Sequence, residues 1–424
     1  MKQLLYRGIF WRGLNYLTVF LVSIAIARLF KAGESGVINY LINNLALLIL
    51  ISSLSLESAT GYYSAKEEIA QPAIIGITLL MTLASVMVNT ILIGLLFPLT
   101  NLLWLSAALY CCGIVLMNYF TALFYSHYDF RFPNAVVIIF NCAIILLILF
   151  FPSLLLRNEG EVFLNLYFGS FLLTGLILAC FYIASHGKQV RTPSATELKK
   201  LFRYAFLAMI TNVIFFLVYR VDYWFVNRNC TDLELGNYIQ VSKLGQIFML
   251  LPAIIAGMVF TRTAKQNSHD HFRELQLLSR LLFTGYVIIL LIPCIFGYWL
   301  FPVIYGETFR LMYLPFLLLI PGILSLATLS LITALNAGEG KMRVNFQGGL
   351  IALVVIIAGN LIFSRQYGIL AAAAVSSAGY ICYQVYIMWK LSIDHKELAI
   401  LDFFIPRYDD FAIVKKLFFN SGKN

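Results

Sequence analysis

Apolar residues in this chain come in long, nearly unbroken blocks, and the polar residues collect between them. The first block follows Lys2, Arg7 and Arg12 and runs to Phe30; further blocks occupy roughly 36–60, 72–97, 102–125, 134–151 and 161–185. The longest hydrophilic interruption before the C-terminal tail is SHGKQVRTPSATELKK, at 185–200. Blocks then resume at roughly 204–226, 236–260, 281–300, 314–336, 344–363 and 370–390. A helix needs about 20 apolar residues to cross a bilayer, so each block predicts one transmembrane helix and the chain predicts twelve. Ala25-Ile26-Ala27 imitates a signal-peptidase site, but the run that contains it is long enough to span and a matching span opens the second half. The predicted organisation is an N-terminal bundle at 1–185, a cytoplasmic linker at 186–200, a C-terminal bundle at 201–391, and a cytoplasmic tail at 392–424. The tail alternates aromatic and aliphatic residues with Arg407, Lys415 and Lys416, a pattern suited to an amphipathic segment on the membrane surface.

Composition carries the same message. Of 424 residues, 61% are hydrophobic and only 12% charged, with a mean hydropathy of +0.86. Soluble domains carry about 25% charged residues, so one soluble core cannot hide this much apolar surface. The net charge of +10 would suit nucleic acid, but its placement follows membrane topology instead. With the N-terminus inside, Lys2, Arg7, Arg12, Lys66, Arg131, the linker cations, Lys341 and the tail cations all fall on the cytoplasmic side. Lys31, Arg157, Arg228, Arg310 and Arg365 fall on the other. This asymmetry predicts two cytoplasmic termini, and in a bacterium the inner membrane. The seven cysteines lie mostly in apolar runs without paired spacing, and the five histidines are scattered, so no metal centre is expected. No Ser/His/Asp grouping and no GxxxxGK[ST] phosphate loop occurs, so neither catalytic residues nor an ATPase is expected.

The two halves resemble each other in short motifs. Glu34-Ser35-Gly36 and Glu234-Leu235-Gly236 each open a second span, Phe97-Pro98 and Phe301-Pro302 each close a third, and Arg131 and Lys341 each follow a fourth. An even number of spans per half keeps both halves in one orientation, which predicts a parallel repeat with a substrate site where the repeats meet.

Apart from Glu161 and Lys390 at the very ends of their blocks, five charged residues sit within the spans: Arg28, Glu57, Arg220, Asp222 and Lys243. A charge at bilayer depth costs at least roughly 2.5–3.5 kcal/mol, so such residues mark cavities, pathways or ion pairs. Arg28 lies near the outer end of its span, where it either snorkels to the headgroups or faces a cavity. Arg220 and Lys243 lie deeper, and as cations they suit an anionic, phosphate-bearing substrate. Asp222 either clasps Lys243, holding the seventh and eighth spans together, or takes part in coupling to H+ or Na+. Glu57 is either such a coupling site or a carboxylate solvated at the cytoplasmic end of its span.

Several stretches are similar to a known family. They are RGIFWRGLNYLTVFLVSIAIARLFKAGESGVINY (7–40), SLESATGYYSAK (55–66) and, above all, VDYWFVNRNCTDLELGNYIQVSKLGQ (221–246). They resemble the bacterial polysaccharide-export, or Wzx-type, flippases of the multidrug/oligosaccharidyl-lipid/polysaccharide (MOP) superfamily. The likeness extends over essentially the whole chain, and departs from the family at Leu29-Phe30-Lys31, where a Leu-Gly pair usually follows the Arg. The resemblance implies an all-α integral membrane protein whose two six-helix bundles form a V around a cationic cavity, as in MOP and MATE transporters. It implies a non-enzymatic flippase for an isoprenoid-diphosphate-linked oligosaccharide in surface polysaccharide (O-antigen-type) biosynthesis, with Arg220, Lys243 and Arg28 as substrate ligands. Membrane lipid and polysaccharide assembly proteins would be its partners, with no cofactor beyond a coupling ion. The alternatives are an ion-coupled multidrug/cation antiporter of the MATE branch and a polysaccharide polymerase.

Overall fold

In the computed structural model, residues 2–97, 99–186, 190–263, 270–394, 400–407 and 410 are described; most of the amphipathic tail expected at 392–424 lies outside them. The described chain is helical throughout, without a strand. Its helices are α1 (Lys2–Ser52), α2 (Leu56–Ala65), α3 (Gln71–Leu96), α4 (Asn101–Ser126), α5 (Arg131–Phe150), α6 (Pro152–Leu155), α7 (Glu161–His186), α8 (Ala195–Arg220), α9 (Asp222–Asn229), α10 (Asp232–Phe248), α11 (Leu250–Thr263), α12 (Asp270–Tyr305), α13 (Tyr313–Gly338) and α14 (Met342–Asp394).

Ten stretches among them are long and apolar enough to cross a membrane. The expectation from the sequence divides more finely, and two long helices explain the difference. α1 and α14 run for 51 and 53 residues, and each holds one non-helical residue: Lys31 (φ 58°) in α1 and Gly368 (φ 54°) in α14. At about 20 residues per crossing, each is long enough for two passes. Outward-facing side chains are apolar, with Leu95 76%, Phe150 71% and Leu361 67% exposed. A surface of this kind requires lipid rather than water, and the chain is a multi-pass membrane protein.

The chain divides into two compact units: Met1–Lys31 with Val37–Phe216, and Ala32–Gly36 with Leu217–Asn424. In the first, α4 packs along α7. Gly113 and Gly175 permit the approach, since a Cβ on Gly175 would lie 2.6 Å from the Gly113 carbonyl oxygen; small residues at helix contacts are the membrane substitute for a hydrophobic driving force. Tyr119, Phe120, Phe124, Phe168 and Tyr182 fill the core, and the Tyr119 hydroxyl donates to the Ser53 carbonyl at 2.9 Å, so its polar tip is satisfied away from water. The polar stretch at 185–200 turns helical before it ends. Ser194 accepts from the Glu197 amide at 3.3 Å while Glu197 accepts from the Ser194 amide at 2.7 Å, a reciprocal cap that starts α8 at Ala195.

In the second unit, α13 packs along α14. The two glycines of the repeated motifs meet here: a Cβ on Gly36 would lie 2.7 Å from the Gly236 nitrogen. Thr231 and Glu234 form a capping box at the start of α10, which fixes the turn between α9 and α10. Ile400–Phe403 forms a short 3-10 turn beside α12. Asp410 folds back onto α12 through a two-pronged ion pair with Arg280, Nε to Oδ2 at 2.6 Å and Nη2 to Oδ1 at 2.8 Å.

Candidate functional site

The short turn between α8 and α9 sets the site of the second unit. The helix ends at Arg220, Val221 makes a one-residue turn, and α9 restarts at Asp222. Arg220 and Asp222 therefore reach different partners. Arg220 reaches α10, where its Nη2 donates to Gln246 Oε1 at 3.4 Å. Lys243 lies on the same helix, one turn from Gln246, and close enough to Arg220 for the two positive charges to repel. Arg220 and Lys243 are both half-buried. Nearby polar atoms lack partners: Gln246 Nε2 and the Tyr223 hydroxyl are buried without a hydrogen bond. Like charges held together beside unsatisfied donors form a place where an anion would be welcomed, since an oxyanion relieves the repulsion and accepts from the donors at once.

Asp222 does not make the clasp with Lys243 that its position allowed. It is buried, 1% exposed, and its Oδ2 accepts from the Tyr238 hydroxyl at 2.5 Å and the Ser376 hydroxyl at 2.8 Å. Its Oδ1 is buried without a hydrogen bond. The physical reason is reach and solvation: hydroxyls from α10 and α14 sit against the carboxylate and satisfy it with short, charge-assisted bonds. Tyr238 also packs edge-to-face on Tyr223, ring centroids 6.0 Å apart, which locks the hydroxyl in place. The arrangement leaves one carboxylate oxygen for a small cation or a proton.

The remaining expected residues lie in the first unit. Arg28 is exposed on α1. Glu57 is in the first turn of α2, half-buried rather than solvated, with Oε2 enclosed and lacking a hydrogen bond. It lines a cavity of about 490 Å³ whose walls come wholly from the first unit. The other polar groups of that cavity are amides and hydroxyls, among them Asn15, Asn118, Thr121 and Asn134. Charge patterning does not mark them, nor does it mark Gln246, Tyr238 and Ser376; the available signal is their position as polar residues within apolar runs.

Three comparisons bear on this geometry. No family model matches the chain, and no curated protein matches it. Solved structures do. Lipid II flippase MurJ in an inward closed conformation aligns with a TM-score of 0.68 at 14% identity, over 93% of this chain and 88% of that one. A mutant of the Vibrio cholerae MATE transporter VcmN aligns at 0.63 and 13% identity, over 95% and 98%. A MOP-superfamily transporter from Pyrococcus furiosus, described as having a binding pocket of reversed polarity, aligns at 0.58 and 13% identity, over 94% and 97%. The fold is thus the one shared by the MurJ flippase and the MATE transporters.

Proposed function

We propose that this protein is a flippase that carries an isoprenoid-diphosphate-linked oligosaccharide from the cytoplasmic to the periplasmic leaflet by alternating access. The observation that carries the reading is the pair Arg220 and Lys243, held together beside Gln246 and Tyr223 within apolar helices. A lipid diphosphate cannot cross hydrocarbon unaided, because its charged headgroup loses its water. A protected cationic site offsets that loss while the isoprenoid tail stays in lipid. Arg220 supplies a planar fork matched to phosphate oxygens and Lys243 a compact charge. Arg28 is a third, outlying ligand in this reading. The likeness to a lipid II flippase agrees with it, as does the resemblance of residues 221–246 to polysaccharide-export flippases.

In the same reading α1 and α14 each cross the membrane twice, giving twelve passes in two six-helix bundles with a cytoplasmic linker at 186–200. Both termini are cytoplasmic and the membrane is a bacterial inner membrane, where polysaccharide assembly proteins receive the product. Asp222 supplies the coupling site for H+ or Na+ through its open Oδ1, and Glu57 is a second acid available to coupling.

A second reading, an ion-coupled cation antiporter, draws on Asp222 and on the MATE proteins among the structural neighbours. The cation pair argues against it, because Arg220 and Lys243 repel a cationic drug. Reconstitution in proteoliposomes separates the two. Translocation of a fluorescent polyprenyl-diphosphate sugar that collapses in Arg220→Ala/Lys243→Ala supports the flippase; efflux of a cationic dye driven by a Na+ or H+ gradient, untouched by that double substitution, would replace it.

A further inference from the structure

The cavity of the first unit has a chemistry of its own. Among the described residues, its polar lining is built from groups that both give and accept hydrogen bonds, with one acid, Glu57, and no Lys, Arg or His. A network holds part of this lining rigid: Asn15 Nδ2 donates to Asn134 Oδ1 at 2.8 Å, and Asn134 Nδ2 donates to the Tyr125 hydroxyl at 2.8 Å. On the far side of Asn15, Asn141 Nδ2 donates to Thr18 Oγ1 at 3.0 Å, and Thr18 donates to the Asn15 carbonyl at 2.8 Å. Once these bonds are made, Asn15 Oδ1 and Glu57 Oε2 are still buried without a hydrogen bond. Asn118 and Thr121, one turn apart on α4, add an exposed amide and a half-buried hydroxyl to the same space. Tyr167 and Phe171, one turn apart on α7, supply aromatic surface.

We propose that this cavity binds sugar, taking the glycan of the lipid-linked substrate. The proposal rests on the flippase reading. Each sugar hydroxyl is at once a donor and an acceptor, which is what an amide offers and a lysine or arginine does not. The unpartnered oxygens of Glu57 and Asn15 each accept a hydrogen bond from a hydroxyl, and the aromatic rings face the apolar C–H side of a pyranose. A lone inorganic cation would also suit carboxylate and amide oxygens, but a cavity of about 490 Å³ is the size of a small-molecule site and far larger than an ion needs. No cation is among the described lining residues, although the exposed Arg12 guanidinium stacks 5.6 Å from the Tyr125 ring centroid, and that lining offers a diphosphate no direct ion pair.

The test is calorimetric titration of the purified full chain in lipid nanodiscs with farnesyl diphosphate, bare and carrying glucose, galactose or N-acetylglucosamine. The expected result is that at least one sugar-bearing form binds about 10-fold tighter than the bare diphosphate, the gain from two or three added hydrogen bonds. Asn118→Leu/Thr121→Val should cut that advantage to within roughly 2-fold and leave the bare diphosphate binding as before, which also reports that the variant is folded. Should the double variant fail to accumulate, Asn118→Ala truncates an exposed side chain and should lower the advantage about 3-fold. If no sugar-bearing form binds more tightly than the bare one, or if the advantage survives in the variants, the sugar site is overturned while the flippase reading stands. If no form binds at all, the flippase reading falls and the sugar site falls with it.

Discussion

Both units bury neutral polar networks, and the second adds a buried ion pair and charges to them. The first relies on neutral partners: an amide network through Asn15, Asn134 and Asn141, and at one end of the unit a cluster in which Gln71 bridges Ser64, His127 and Tyr182. The second has such partners too, as where Asn336 Nδ2 donates to Asn345 Oδ1 at 3.0 Å, and adds charge: Arg220 beside Lys243, Asp222 gripped by two hydroxyls, and Arg280 against Asp410. Neutral networks cost little to bury and discriminate by shape and hydrogen-bond pattern, whereas buried charges are costly and persist where a charged ligand or a switch needs them. The difference teaches that internal sequence similarity between halves need not mean equivalent sites. The shared glycine motifs preserve packing, and the polar residues diverge around them.

The comparison breaks most readily at the cation pair. Arg220→Ala/Lys243→Ala should lower translocation of a diphosphate-linked lipid on the order of 100-fold at unchanged protein levels, as expected when two charge-assisted contacts of about 1.5 kcal/mol each are lost. Translocation within a few-fold of wild type would remove the charged site from the account.

Arg280 and Asp410 offer the next largest effect. Arg280→Ala should free residues 400–407 and Asp410 from α12, at a cost of about 1.5–3 kcal/mol, seen as faster hydrogen exchange or proteolysis confined to them. The Arg280 hydrogen bonds hold the Asp410 carboxyl below the ordinary carboxylate range, and its own burial opposes them without prevailing. With a lowered folded-state pKa, the contribution is complete above the ordinary value of about 3.9 and fades as pH falls through the lowered one. Asp410→Asn should therefore flatten the acid limb of tail release, and an unchanged acid limb would show that another group governs it.

The smallest effect is expected at His127. Its Nε2 lies 3.1 Å from Gln71 Nε2, a contact that requires the imidazole to accept. Burial, then the ring of His186 stacked at 5.0 Å, pushes its pKa below the ordinary value, with Glu67 pulling the other way. The neutral form is thus favoured in the fold, so its contribution is complete above about pH 6.5 and is lost as pH falls through the lowered value. Thermal stability should drop by less than about 1 kcal/mol between pH 7.5 and pH 5, and His127→Phe should remove that part of the drop. A larger pH effect in the variant than in the wild type would show that the first unit also depends on buried charge.

Much of the fold was legible because spanning length is a one-dimensional property. Runs of apolar residues announce themselves, and both Arg220 and Lys243 stand out against their surroundings. What the chain does at a link between two runs is less visible. Lys31 and Gly368 each break a helix at a single residue, and hydropathy does not distinguish such a break from a loop. The partner of Asp222 was hidden for another reason: Ser376 lies on α14, far along the chain, and only tertiary packing brings it to the carboxylate. Asn118 and Thr121 carry no charge, so charge patterning does not mark them, although amides and hydroxyls inside a span also need partners.

The central claim is the direction and nature of the cargo, and one measurement addresses it most directly. In a strain lacking this protein, lipid-linked oligosaccharide is scored for the leaflet that holds it, by accessibility to an impermeant sugar-modifying reagent in intact cells and in inverted vesicles. The account predicts accumulation of complete lipid-linked units on the cytoplasmic leaflet, relieved by the wild-type chain and not by Arg220→Ala/Lys243→Ala. Accumulation of short units on the periplasmic leaflet would contradict it and point to a polymerase.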